Sequence, residues 1–246
     1  MRQIVSGFLN APGVRRITHR VKETLQSYDP TNVLLKQCKG IIHVGANAGQ
    51  ERKLYEKHGL LVVWIEPIPE VFNTLTSNLH DYPRQSAVRA LVTDRDGTDY
   101  AFHISNNNGV SSSILEMKLH REMFPEVSCE RTITLTSTTL VSLLSREHIP
   151  LSHYDGLILD TQGSELLVLQ GALQILPAFR FIKTEVTDFE SYAGGCQLKD
   201  LDRFLAKLEF REVRRRSSYR RHASGGRYYD VVYQNSKPLV ESSHLM

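Results

Sequence analysis

Cysteine is scarce. Cys38, Cys129 and Cys196 are odd in number and widely spaced, which excludes a disulfide framework and a cysteine-type metal site. A reducing cytoplasm is therefore the expected location. The ten histidines are scattered, and no His-x-x-x-His pair of metal-ligating type occurs. No apolar run approaches the ~20 residues of a membrane span. The stretch from Met1 to Leu9 is too short and too broken for the apolar centre of a secretion signal. Internal repeats and low-complexity segments are also missing. What remains is 41% hydrophobic and 23% charged over 246 residues, the make-up of one soluble α/β domain with modest additions. The net charge of +3 is unevenly placed, because arginines crowd the stretch from Arg211 to His222.

The stretch from Ile41 to Pro67 organises the chain. Ile41-Ile42-His43-Val44 is a short apolar run that ends in Gly45-Ala46-Asn47-Ala48-Gly49. Apolar runs bounded by glycine suit a buried parallel strand. Gly45 and Gly49 allow a tight turn and a close approach to a ligand, and the turn opens onto a helix whose free N–H groups face that ligand. A second apolar run, Leu61 to Ile65, ends in Glu66. In nucleotide-binding α/β folds an acid placed after the second strand accepts hydrogen bonds from ribose hydroxyls. The third glycine of a dinucleotide fingerprint is lacking, and Glu51 would repel a pyrophosphate at the helix start. S-adenosylmethionine carries ribose, adenine and a cationic sulfur but no phosphate, and it suits this loop better. The expected cofactor contacts are Gly45, Ala46, Asn47, Gly49 and Glu66, with Ala90 near the end of the third strand.

The remaining pattern alternates strand and helix. Residues 1–37 read as an N-terminal helical cap, residues 38–235 as the main domain, and residues 236–246 as a frayed tail. Helices are expected near 49–58, after Pro67, over 137–147, after Ser164 and over 198–208. Strands are expected at 61–65, 86–92, 99–104, 131–136, 157–160 and 179–186. Two more, 210–216 and 227–233, form a closing antiparallel pair. This order implies a mostly parallel central sheet with helices on both faces and a C-terminal antiparallel hairpin. The polar segment from Ser105 to Ser113 is read equally as a binding loop or as a mobile surface loop.

Ligands in such sheets bind beyond the carboxyl ends of the strands. Asp160 and Glu185 end two successive strands and converge there as candidate catalytic groups. Asp160 has a plainer alternative as a helix cap, and Glu185 has one as half of an ion pair.

Several of these motifs together carry a family resemblance. His43-Val44-Gly45-Ala46-Asn47-Ala48-Gly49-Gln50, Ile65-Glu66-Pro67, Ser111-Ser112-Ser113 and Asp160-Thr161-Gln162-Gly163-Ser164-Glu165 occur in order, followed by Leu169-Gln170-Gly171-Ala172. With Tyr229-Asp230-Val231-Val232-Tyr233 near the end, the chain resembles the FkbM family of S-adenosylmethionine-dependent methyltransferases over about residues 38–235. The resemblance implies a Rossmann-like methyltransferase fold and O-methylation of a sugar, glycan or natural-product hydroxyl. The chain departs from that pattern at His43, where an acid is common, and at Ile158-Leu159, which replaces a Lys-Ile pair.

Methyl transfer from a sulfonium is an in-line displacement, so alignment matters more than charge stabilisation. A hydroxyl acceptor also needs a proton acceptor within reach. Asp160 is the first candidate for orienting the acceptor or the methionine amine, with Glu185 as a base. Ser112, Gln162, Arg214 and Arg216 are the expected acceptor contacts. Magnesium held by Asp160 and Glu185 fits oxygen-ligand chemistry, although no spacing demands a metal. The basic stretch suits an anionic acceptor, or it is a solvated hairpin face. Two other readings stay open: an RNA or nucleotide methyltransferase that uses residues 211–227, and a non-catalytic module that binds the cofactor or an anion. The acceptor itself and the oligomeric state are not encoded legibly.

Overall fold

The computed structural model describes residues 34–237, with side chains at 218–221 left undescribed. Most of the expected N-terminal cap and nearly all of the expected tail lie outside the described residues. The exceptions that matter are Leu34 and Leu35, which are fully buried against the sheet.

Strand β1 (Gly40–Val44) is buried along its whole length and pairs in parallel with β2 (Leu61–Ile65) and with β7 (Gly156–Leu159). Beyond β2 lies β3 (Gln85–Val88), and beyond β7 lies β8 (Phe181–Thr187), both again parallel. The sheet is completed by β10 (Arg227–Asn235), antiparallel to β8, and by β9 (Phe210–Arg221) at the edge. The order is β3-β2-β1-β7-β8-β10-β9. Continuous apolar runs are what doubly covered parallel strands require, since neither face meets water.

Alternation along the strands sorts side chains between two cores. Ile42, Val44, Val63, Ile65, Leu157 and Leu159 face one core. It is closed by α4 (Leu140–Arg146), α5 (Glu165–Gly171) and α6 (Leu198–Ala206). Ile41, Val62, Trp64, Ile158, Phe181 and Val232 face the other core, which is covered by α1 (Arg52–Lys57), α2 (Pro69–Asn78) and the Leu34-Leu35 pair. Pro69 starts α2 at its first position, where a missing N–H costs nothing.

One expected strand divides. The run 86–92 leaves the main sheet after Val88, and Leu91–Val92 becomes β4 of a second, three-stranded sheet. There β4 pairs in parallel with β6 (Cys129–Thr138), and β6 pairs antiparallel with β5 (Asp99–Ser105). The physical reason is packing: Leu91 joins Ile68, Phe102 and Ile104 in a separate apolar cluster beneath the second sheet. The short helix α3 (His120–Met123) has no counterpart in the sequence pattern, as expected for one turn with no periodicity to read.

Chain order sets where a ligand can sit. From β1 the chain runs outward to β2 and β3, then returns to the other side of β1 as β7. The crevice beyond the carboxyl ends of β1 and β7 is thus the switch point of the sheet, where open α/β folds bind ligands. Gly45 follows β1 there, and Asp160 follows β7.

Candidate active site

A cavity of about 450 Å³ opens at this switch point, within the range of small-molecule sites. Its wall includes the expected residues Gly45, Ala46, Asn47, Glu66, Ala90, Ser112, Asp160, Gln162 and Glu185.

At one end stands Glu66, only 4% exposed. Its Oε2 accepts the N–H of Asn47 at 2.8 Å and its Oε1 accepts that of Ile68 at 2.9 Å. Each carboxylate oxygen has two acceptor directions, so both retain one for a ligand hydroxyl. Burial pushes the Glu66 carboxyl up to about 7, against the pull of those two N–H groups.

The glycine turn is built for contact between backbones. Gly45 has φ +81°, and a Cβ there would lie 1.9 Å from the Asp160 carbonyl oxygen. Its glycine is therefore required by the approach of β1 to β7, which fixes the cavity floor. Gly49 (φ +69°) differs: a Cβ there would meet Leu75 at 2.7 Å, and Gly49 stands outside the cavity wall. Asn47 adopts φ +45°. Its side chain is occupied internally, since Oδ1 accepts from Ala48 N and from Gln50 Nε2, and Nδ2 donates to Asn108 O at 3.0 Å. Its free contribution to the cavity is backbone and shape. His43 lines the wall as a buried neutral ring, 3.2 Å from the Tyr55 hydroxyl and stacked on Trp64. Burial, aided by Lys183, drops its pKa to about 3.

At the other end, Asp160 and Glu185 are bridged by one amide. Gln162 Nε2 donates to Asp160 Oδ1 at 2.6 Å and lies 3.3 Å from Glu185 Oε2. Gln162 holds φ +54°, an uncommon conformation for a non-glycine residue that is worth a functional explanation. The turn around it is clamped on every side. The Tyr192 hydroxyl lies 2.9 Å from Gln162 Oε1, and Ser113 Oγ donates to Gln162 O at 2.9 Å. Buried Glu165 accepts from Thr161 N at 2.9 Å and from Gly163 N at 3.0 Å, and Cys196 Sγ donates to it. Glu165 thus locks the turn rather than facing the cavity. Asp160 does not cap the helix after it; its carboxylate points to Gln162 and the cavity.

Two residues that the sequence reading passed over complete this end. Lys183 Nζ lies 2.9 Å from Asp230 Oδ1, and both line the cavity. Strand register explains the cluster: Asp230 pairs with Glu185 across β8 and β10, and Val232 pairs with Lys183, so these side chains share one face. A usable signal was present, since Lys183 interrupts the apolar run Phe181-Ile182 in a strand buried on both sides. Burial raises Asp160 to about 6, with Gln162 and Lys183 pulling the other way. Burial and the negative charges of Asp160 and Asp230 raise Glu185 to about 8.

The loop Ser111-Ser112-Ser113 is buried rather than a mobile surface segment. Ser112 Oγ accepts from Ser105 N at 3.0 Å. Arg214 and Arg216 stand apart from the cavity, exposed on β9. Arg216 is in register with Asp230 and Arg214 with Val232, so both lie on the cavity's face of the sheet, one strand further out. Among the described residues, no group of three or more His, Cys, Asp or Glu is placed to hold a metal ion, and no helix is long and apolar enough to cross a membrane.

The Methyltransferase FkbM domain matches residues 43–212. The 2-O-methyltransferase NoeI of Sinorhizobium fredii is 28% identical over 207 residues, covering 81% of this chain and 83% of that protein. Among solved structures, the magnesium protoporphyrin IX methyltransferase of Synechocystis PCC 6803 superposes with a TM-score of 0.47 at 11% identity, covering 90% of this chain and 81% of that one. The 1,6-didemethyltoxoflavin-N1-methyltransferase of Burkholderia thailandensis gives 0.44 at 11% identity, covering 89% and 84%. With most of its length inside the matched domain, the chain belongs to the FkbM family of S-adenosylmethionine-dependent methyltransferases.

Proposed function

We propose that this protein transfers a methyl group from S-adenosylmethionine to a hydroxyl of a sugar or glycan-like acceptor. The observation that carries the reading is the cavity at the switch point, with a hydrogen-bonded buried carboxylate at one end and bridged carboxylates at the other. The donor set fits the cofactor. Glu66 offers two remaining acceptor directions to a ribose diol. Gly45 and Ala46 supply a floor without projecting side chains, and Ala90 and Ile68 supply apolar contact for an adenine. The Thr161 hydroxyl is buried in the same wall and has no hydrogen-bond partner among the described residues, as expected of a site whose ligand supplies one.

When bound, the cofactor supplies an electrophilic methyl on a cationic sulfur. The chain's own task is to align an acceptor oxygen and take its proton. Asp160, ordinarily ionised at neutral pH given its value of about 6, is the group proposed to receive that proton. Gln162 fixes the orientation of Asp160, and Tyr192 fixes Gln162. Glu185, at about 8, holds its proton near neutrality and is proposed as a hydrogen-bonding neighbour that becomes a base only at higher pH. Ser112 and Gln162 are the proposed acceptor contacts within the cavity. Arg214 and Arg216 are proposed to meet remote parts of a larger acceptor. The NoeI relative is a 2-O-methyltransferase, which supports oxygen as the target atom.

A labelled-methyl transfer screen across neutral, acidic and amino sugars and RNA tests this reading. Label on a saccharide oxygen is the expected result. Label only on RNA, or on nitrogen alone, would reject it.

A further inference from the structure

The charge on the cavity wall is lopsided. Among the described residues, Glu51, Glu66, Asp160, Glu185 and Asp230 line it, against one ammonium, Lys183, and a neutral His43. This contrasts with a chain whose net charge is +3. The asymmetry is sharpest at the acceptor end, where the carboxylates of Asp160 and Asp230 flank the single ammonium of Lys183, and Glu185 adds to it only as it loses its proton around pH 8. Lys183 does not offer a free cation to a ligand, because its Nζ is held 2.9 Å from Asp230 Oδ1. Burial works against the Lys183 charge, but Asp230, Asp160 and Glu185 outweigh it and hold its pKa above the ordinary lysine value. The arginines that suggest an anionic acceptor lie outside the cavity, one strand beyond Asp230.

Resting on the cofactor reading above, we infer that Asp230, anchored by Lys183, is a specificity-determining residue that keeps the reacting end of the cavity cation-selective. This end favours positive charge where the methyl leaves. It admits an acceptor that presents an uncharged or amine-bearing sugar, and it turns away one that brings a phosphate or carboxylate to the methyl group. In a partly enclosed space of low effective dielectric, an anion placed among these carboxylates meets repulsion that water does not screen. A phosphate or uronate can be tolerated only in the remote part of the acceptor, over Arg214 and Arg216.

The test needs no knowledge of the acceptor. Sinefungin carries an ammonium where S-adenosylmethionine carries its methylated sulfonium, and S-adenosylhomocysteine has a neutral sulfur there. The nucleoside and amino-acid ends are the same, so the ratio of their affinities reads the charge preference of the reacting end alone. Calorimetry on the full chain at pH 7.5 should give sinefungin binding about tenfold tighter than S-adenosylhomocysteine. Asp230→Asn should cut that ratio by half or more while S-adenosylhomocysteine still binds. Asp160→Asn, a second removal of negative charge, should do the same if the first variant fails to fold. A wild-type ratio below about three, or a ratio unmoved by removal of the carboxylate, would overturn the inference and leave the cofactor reading standing. Failure of both ligands to bind the wild type would instead remove the cofactor reading itself, and the inference with it.

Discussion

Replacing Glu66 with alanine separates a cofactor-gripping acid from a merely structural one. The carboxylate already accepts two backbone N–H groups, so its removal has two consequences. The N–H groups of Asn47 and Ile68 lose their partner in a buried place, at about 1–3 kcal/mol each when no water enters. A ribose diol loses two hydrogen bonds to a charged acceptor, each worth about 1.5–3 kcal/mol. Water entering the vacated space recovers part of both, so the lower end is the better guide. About 3 kcal/mol corresponds to a rise of roughly 100-fold in the dissociation constant for S-adenosylmethionine. Glu66→Gln keeps one acceptor oxygen and should fall between, near tenfold. Calorimetry at pH 8, where Glu66 is mostly ionised given its value of about 7, reads both variants, with a thermal melt to confirm that each is folded. An alanine variant that melts cooperatively and binds within threefold of wild type would refute the ribose assignment.

Other consequences can be checked in parallel. Asp160→Asn should lower turnover by about 10²–10⁴, the usual worth of a positioned proton acceptor, while cofactor affinity changes less than tenfold; turnover near wild type would refute its role. Glu165→Ala removes the acceptor for Thr161 N, Gly163 N and Cys196 Sγ and should cost about 3 kcal/mol. That corresponds to a fall of about 6–12 °C in Tm, and an unchanged melt would contradict its clamping role. Stability of the ligand-free protein should fall as pH rises from 6.5 to 8. The folded-state values of Glu66 and Glu185, about 7 and about 8, lie above their ordinary value, so the native state holds extra protons that it loses across this window. His43 and His120, held by burial at about 3 and about 4, act with the opposite sign, but only below their ordinary value of 6.5. A melt that rises between pH 6.5 and 8 would show that these two acids do not govern stability in that window.

Much of the fold was legible because the central strands are buried on both faces. Runs such as Ile41 to Val44 and Leu61 to Ile65 have no other reading when glycine, proline or an acid ends them. The terminal hairpin was legible as two closing segments, 210–216 and 227–233, although its strands run on to Arg221 and Asn235. The break at Val88 was not, because the apolar character of Leu91 and Val92 continues across it and only the neighbours beneath the second sheet make the chain turn away. At the site, Glu66 and Asp160 could be placed from chain order, since the switch point follows from topology alone. Asn47 could be named as a cofactor contact but not its manner of acting, because its side chain closes on Ala48, Gln50 and Asn108. Gly49 looked like Gly45, yet one packs against Leu75 and the other against the backbone of Asp160. Lys183 and Asp230 were missed because their meaning comes from cross-strand register between β8 and β10, which a linear pattern does not display. The serine loop illustrates the converse, since its polar composition left a mobile surface segment open, whereas Ser111 Oγ accepts from Asn107, Ser112 Oγ bonds Ser105 and Ser113 Oγ donates to Gln162 O in the interior.

The most direct measurement is a crystal structure of the full chain with S-adenosylhomocysteine. Both ribose hydroxyls are expected within hydrogen-bond distance of the Glu66 carboxylate, with the ligand sulfur on the side of the cavity lined by Asp160 and Glu185. Ribose bound elsewhere, or Glu66 turned away from the ligand, would contradict the cofactor assignment.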